Sequence, residues 1–310
     1  MKIWITILLM FFCIKVLSAN MLDKYAQEMD KYHRTLIQSG IMNVIVYSGF
    51  IDVNVAQDVI HKLQNMNLSG TYKEKNNFIS NVNNALMKNI SYSKKTLTHN
   101  YSDKGYKCIL QESVFRTDIG EIRTNKNRKE TSSFNGLLCN YDEANNILTI
   151  SKAPPSDWYS PDLFNFAIVN PMMLDFKRFL IPNVNLKQTI EFIPDGRNGI
   201  FIKGCVNACE KLHIVIQNGF PCLSDSIYYA STSEDRILRN IYYRYYLPVA
   251  NCPFEFVYPS LVIVIDAPRN NLCRVEMYDI VRHAVYKKKE DMQDEFEIQI
   301  KDNTKILTNI

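Results

Sequence analysis

The densest run of reactive side chains is Cys205-Val-Asn-Ala-Cys209-Glu-Lys-Leu-His213. Two thiols and an imidazole are donor types that zinc accepts. On one helix, however, the outer two would lie ~12 Å apart at ~1.5 Å of rise per residue, too far for one ion. If the run is a hairpin, Val206-Asn207-Ala208 form its loop and the cysteines face each other. Opposed Cα atoms at ~4.5–5.5 Å fall inside the range a disulfide spans. Cys205 and Cys209 are therefore disulfide candidates, or simply buried thiols, ahead of a metal site.

Other chemistry is thinly represented. A cysteine nucleophile needs a histidine base, and five histidines among so many cysteines create accidental pairs. His213 and His283 sit in strand-like stretches, His33 and His61 on helical patterns, and ordinary structural roles account for all four. There is no Gly-x-Ser-x-Gly elbow, no His-Glu-x-x-His and no phosphate-cradling glycine loop. The adjacent acids Glu234-Asp235 and Asp294-Glu295 lie in polar stretches, whereas an acid/base pair must converge across a cleft. We expect no enzyme activity, catalytic residue, cofactor or metal. The aromatic residues are more suggestive. Tyr242, Tyr243, Tyr245 and Tyr246 crowd one strand, Phe254, Phe256 and Tyr258 the next, and Phe164, Phe166, Phe176 and Phe179 a helical segment. They could line a concave apolar pocket, although the pattern alone favours ordinary core and half-exposed sheet residues.

The elements that must position these residues fall into two textures. Residues 1–19 read as a signal peptide: a basic Met1-Lys2, an apolar run from Ile3 to Phe12, and small residues before a cut after Ser18 or Ala19. A spanning helix needs ~20 apolar residues, and Lys15 breaks this run. Cys13 follows Met10-Phe11-Phe12, too bulky for lipoprotein processing. Export places the chain in the periplasm or outside the cell, an oxidising setting in which some of the seven remaining cysteines pair. The net charge of +4 falls to +2 without Lys2 and Lys15, which gives no argument for nucleic acid. The basic runs Arg123 to Lys129 and Lys287 to Lys289 are each followed by acids and read as solvated loops.

Residues 20–90 form a helix-rich segment. A first amphipathic face runs from Leu22 to Ile37, Ile41 to Phe50 is a candidate strand, and two further helical faces run through Val55 to Met66 and Phe78 to Leu86. Residues 91–310 form a β domain, interrupted near 161–180 by an apolar helical stretch around Pro171. Ser133 to Tyr141 leads through an acid- and Asn-rich turn into Ile147 to Ile150 as a hairpin. Further strands are expected at Gln188 to Ile193, Gly199 to Lys203, Leu212 to Gln217, Ile241 to Leu247, Phe254 to Ile265, Cys273 to Val285 and Phe296 to Ile300. Successive strands without intervening helices favour an antiparallel sheet or open barrel.

This order of elements resembles the bacterial outer-membrane lipoprotein carrier and sorting (Lol-type) family. The resemblance rests on the leading helix, the Phe134-Asn-Gly…Tyr141-Asp142 hairpin, Tyr258-Pro259 before a strand, and the closing Cys273 to Val285 and Phe296 to Ile300. It covers Ser91 to the C-terminus together with the first helix. It implies an α+β, mainly antiparallel fold: an open, unclosed β-barrel or strongly curved sheet with helices covering its concave side. It further implies an acyl or lipid-like ligand held without catalysis, lined here by Phe164, Phe176, Phe179, Tyr243 and Tyr245. Peripheral contact with the membrane or with envelope proteins is compatible with that role. The alternative is a cell-envelope structural or interaction module without a small ligand, and a hydrolase comes third. Asn67, Asn89 and Asn100 each open an Asn-x-Ser triplet, which keeps a glycosylated secreted protein open.

Overall fold

The computed structural model describes residues 40–101, 105–153, 191–196, 199–203, 210–217, 220–231, 233–234, 236–252, 257–285 and 296–309. The signal peptide, the first helix and the segment around Pro171 lie outside these residues, as do Cys205, Cys209, Phe164, Phe176 and Phe179.

The strand expected at Ile41 to Phe50 runs from Gly40 to Asp52 (β1) and lies in the interior of a sheet. Asp52 ends it and caps α1 (Val53–Asn65) by accepting from the Asn54 N–H at 2.8 Å. Helix α2 (Tyr72–Leu86) opens on a capping box, with Thr71 and Glu74 each accepting the other's backbone N–H. The strands that follow are β2 (Ser93–Tyr101), β3 (Gly105–Arg116), β4 (Ile122–Asn125), β5 (Lys129–Phe134), β6 (Leu137–Asp142) and β7 (Ile147–Lys152). Then come β8 (Glu191–Pro194), β9 (Gly199–Lys203), β10 (Glu210–Gln217), β11 (Phe220–Tyr229), β12 (Ile237–Pro248), β13 (Val257–Asp266), β14 (Leu272–Val285) and β15 (Lys305–Asn309).

Among the described residues these strands make one sheet, ordered β15-β7-β6-β5-β3-β2-β1-β14-β13-β12-β11-β10-β9-β8, with β4 paired to β3. Every pairing is antiparallel except β15 with β7. The path ends on β15 at one edge and β8 at the other, so the sheet is open. The expected fold class, α+β with a mainly antiparallel and unclosed sheet, is what the chain adopts.

Three local expectations are corrected. Ser133 to Tyr141 is not one strand: Asn135 (φ 50°) and Gly136 (φ 76°) turn the chain between β5 and β6. Two successive positive φ values suit a two-residue hairpin, and Asn-Gly supplies them at least steric cost. Phe296 to Ile300 is not the closing strand. Phe296 is buried instead, stacked on Phe134 at 5.5 Å, and its carbonyl accepts from the Ser132 hydroxyl at 2.7 Å. The chain then adds β15, parallel to β7. The basic run from Arg123 is a loop only in part. Lys129 opens β5, and Arg128 Nε lies 2.7 Å from the buried Glu130 carboxylate, which Lys107 also reaches at 3.0 Å.

The two faces of the sheet are covered differently, because side chains alternate along each strand and paired residues share a face. Tyr47 and Ile51 on β1 point with Val275 and Met277 on β14 toward Val59 and Leu63 of α1 and Phe78, Val82 and Leu86 of α2. Arg244 on β12 fastens α1 to this face. Its buried guanidinium donates twice to the Leu63 carbonyl, at 3.0 and 2.6 Å, and once to the Ser224 carbonyl at 2.6 Å. The Leu63 carbonyl accepts only one backbone bond, from the Met66 N–H at 3.3 Å, so the guanidinium reinforces the helix C-terminus. Further along the same face, Lys107 donates to the Glu297 carbonyl at 2.6 Å and holds the C-terminal segment down. Met42 and Val44 point the other way, into a second cluster with Tyr278, Val262, Tyr243 and Ile214.

Candidate functional site

On the face opposite α1 and α2, five adjacent strands (β5, β3, β2, β1 and β14) enclose a cavity of about 350 Å³. This is at the low end of ordinary small-ligand sites, ~300–1,000 Å³. The register explains its lining. Val44 pairs with Leu97 and Val46 with Lys95 on β2; Leu97 pairs with Leu110 and His99 with Cys108 on β3; Leu110 pairs with Lys129 and Cys108 with Thr131 on β5. On the other side of β1, Val46 pairs with Tyr278 and Ser48 with Glu276. All of these side chains lie on one face.

The result is an apolar floor with a polar rim. Val44, Cys108, His99 and Tyr278 are buried, and Val46, Leu97 and Leu110 are half-buried. Lys95, Lys129 and Arg274 are exposed at the rim. Burial pushes the pKa of His99 down to about 4, so its imidazole is neutral near pH 7, with Nδ1 2.8 Å from the Tyr106 hydroxyl. Burial and then the nearby Glu276 carboxylate raise the Tyr278 phenol far above its ordinary range. It stays protonated and donates to Glu276 Oε2 at 2.6 Å, while Arg274 lies 2.5 Å from Oε1. Apolar surface below and fixed charges at the rim give this cavity the chemistry of a binding site.

Of the residues expected to line a ligand pocket, the structure describes Tyr243 and Tyr245 and separates them. Tyr243 is buried in the cluster on the cavity side, and Tyr245 in the cluster under the helices. Two residues apart on a regular strand they would share a face. Tyr245 has φ 55° and is skipped in the β12–β13 register, which continues unshifted from Arg244–Leu261 to Tyr246–Pro259, and this local left-handed backbone turns it toward the helices. Its ring fits against Gly70: a Cβ there would lie 2.5 Å from Tyr245 Cε1. Neither tyrosine lines the 350 Å³ cavity.

His213 is more than an ordinary sheet histidine. Its Nδ1 lies 3.0 Å from Asp225 on β11 and its Nε2 3.0 Å from Asp195 in the β8–β9 turn, and its ring stacks on Phe201 at 4.2 Å. Both ring nitrogens are thus engaged by carboxylates. Cys139, Cys222 and Cys273 are thiols, and burial raises the pKa of each, which makes them poor nucleophiles.

No family model matches the chain, and no curated protein matches it. Solved structures do. A LolA superfamily protein from Nitrosomonas europaea is similar over 89% of this chain and 98% of its own, at 9% identity and a TM-score of 0.40. A DUF1329 family protein from Desulfovibrio piger is similar over 88% and 99%, at 9% identity and 0.33. An uncharacterized conserved protein from Thermus thermophilus is similar over 91% and 98%, at 8% identity and 0.29. The Lol-type resemblance of the sequence has its counterpart in the first of these. At TM-scores of this size the likeness carries no argument about ligand, partner or compartment, so the functional reading rests on the cavity itself. Among the described residues no helix is long and apolar enough to cross a membrane.

Proposed function

We propose that this is an exported binding protein that shelters an apolar, acyl-like ligand on the open face of its sheet, without catalysis. One observation carries the reading: the floor of Val44, Val46, Leu97 and Leu110, drawn from three neighbouring strands into a concave site. Apolar side chains that line a cavity instead of closing it leave surface that a ligand can bury, at ~25 cal/mol per Å² removed from water. Phe164, Phe176 and Phe179 belong to the same proposal as further aromatic contacts. Export rests on the signal-like residues 1–19.

Native mass spectrometry with lipid extraction, on protein purified from an exporting host, tests the proposal. We expect a co-purifying acyl lipid that is lost when Leu97 and Leu110 are both replaced by Gln. Both side chains are half-buried, so the sheet should tolerate the change. A clean apo mass that takes up no acyl ligand on titration overturns the reading in favour of an interaction module.

A further inference from the structure

The rim of the cavity is chemically lopsided. Lys95, Lys129 and Arg274 contribute three cations, against Glu276 as the one acid in the lining. Glu276 is already engaged by Arg274 and by the Tyr278 hydroxyl, and Lys129 faces Asp142 at 3.2 Å. Lys95 has no acidic partner among the described residues.

The register gives this charge a direction. Across β1, Lys95 is level with Val46 and Tyr278, and Glu276 and Arg274 follow level with Ser48 and Phe50, so the charged half of the lining runs from Lys95 toward Arg274 and the apolar half runs the other way. From Lys95 the floor runs along β2 past Leu97 to His99, four residues or ~13 Å of strand. Leu110, Cys108 and Val44 flank that path. It ends on a neutral imidazole bonded to a phenol. The half beyond Lys95 carries Glu276 and Arg274, and the half toward His99 is floored by Val44, Leu97, Leu110 and Cys108, with Lys129 at its edge on β5.

We infer that the cavity takes a single-chain amphiphile with an anionic head, seated with the head at Lys95 and the tail running toward His99. The inference rests on the acyl-binding reading above and deepens it. A cavity of about 350 Å³ admits one chain and not several. An ammonium at a half-open rim attracts a carboxylate enough to separate charged from neutral ligands by about tenfold, and less as salt rises.

Equilibrium binding of palmitate and of its methyl ester to the full chain tests this, since the two share a tail and differ in head charge. The expected result is tighter binding of palmitate by about tenfold at low salt, with the margin shrinking in high salt. Lys95→Gln should abolish the margin and Lys95→Glu reverse it. Lys95 is exposed, so an unchanged melting temperature checks that each variant is folded. Equal binding of acid and ester to the wild type, or a margin that survives in Lys95→Glu, overturns the anionic-head inference and leaves acyl binding standing. If neither ligand binds, both fall.

Discussion

At the scale of single residues, His213 shows how a histidine can become an edge clasp. It is paired with Phe201 on one side and Asp225 on the other, and Asp195 reaches it from the β8–β9 turn. Burial pulls its pKa down, but the hydrogen bonds and charges of Asp225 and Asp195 outweigh this, and the net shift is upward. Lys211 over the Phe201 ring and the Lys203–Glu234 and Lys211–Glu234 pairs complete the charged surroundings. A folded pKa above the unfolded value of ~6.5 means the stabilisation is complete below that pH and is lost as pH rises through the folded value. Amides of β9 and β10 should therefore exchange faster at pH 9 than at pH 6, after correction for intrinsic rates. His213→Gln should remove the difference, and equal protection at both pH values in the wild type would refute the clasp. The sequence placed His213 on a strand. Its partners, 18 and 12 residues away, become neighbours only through strand register, which spacing does not reveal.

At the scale of elements, the attachment of α2 turns on a buried lysine. Phe78, Ile79, Val82 and Leu86 are legible as an apolar stripe, but Lys75 lies buried beside them, where periodicity would place an apolar residue. Its Nζ is 2.6 Å from Asp279 on β14 and donates to the Ile280 carbonyl at 3.3 Å. The contact to Asp279 is an ion pair whose angles fall outside hydrogen-bonding geometry. Removing one member strands a buried charge, at ~3–5 kcal/mol. Lys75→Ala should lower the urea-unfolding free energy by that order. Lys75→Met with Asp279→Leu should recover most of the loss, since apolar pairs replace buried ion pairs at little cost. A double variant no more stable than the single would show that the pair does not act as a unit. The strand at Gly199 to Lys203 was readable to the residue because its flanks change composition. The end of the chain was not: Phe296 carries a strand-like pattern, but it is captured by Phe134 and Ser132, and pairing is deferred to β15.

For the whole molecule, mixed texture and closely spaced apolar runs were enough to expect an open antiparallel sheet, because that class follows from element order. The cavity was not legible. Val44, Val46, Leu97 and Leu110 are ordinary alternating apolar residues, and only the lateral order β3-β2-β1-β14 gathers them. The tyrosines of β12 drew attention by composition, yet the described ones are buried in packing on both faces. Packing also governs how the fold answers to acid. His99 and His283 are both buried, and burial pushes their pKa values down to about 4 and about 3. Depressed folded values mean that the unfolded chain takes up protons first, so stability declines as pH falls below ~6.5. Each histidine contributes a slope that approaches ~1.4 kcal/mol per pH unit below the unfolded pKa, for a combined loss of about 3 kcal/mol between pH ~6.5 and ~5. His213, whose pKa is raised in the folded chain, acts in the opposite sense. Urea denaturation across this window should show the decline, and His283→Phe should roughly halve it, because a phenyl ring can keep the edge contact that His283 makes with Tyr258 at 4.6 Å. A flat profile in the wild type would mean that both imidazoles gain a proton without leaving the folded state, and that water reaches the interior of the sheet.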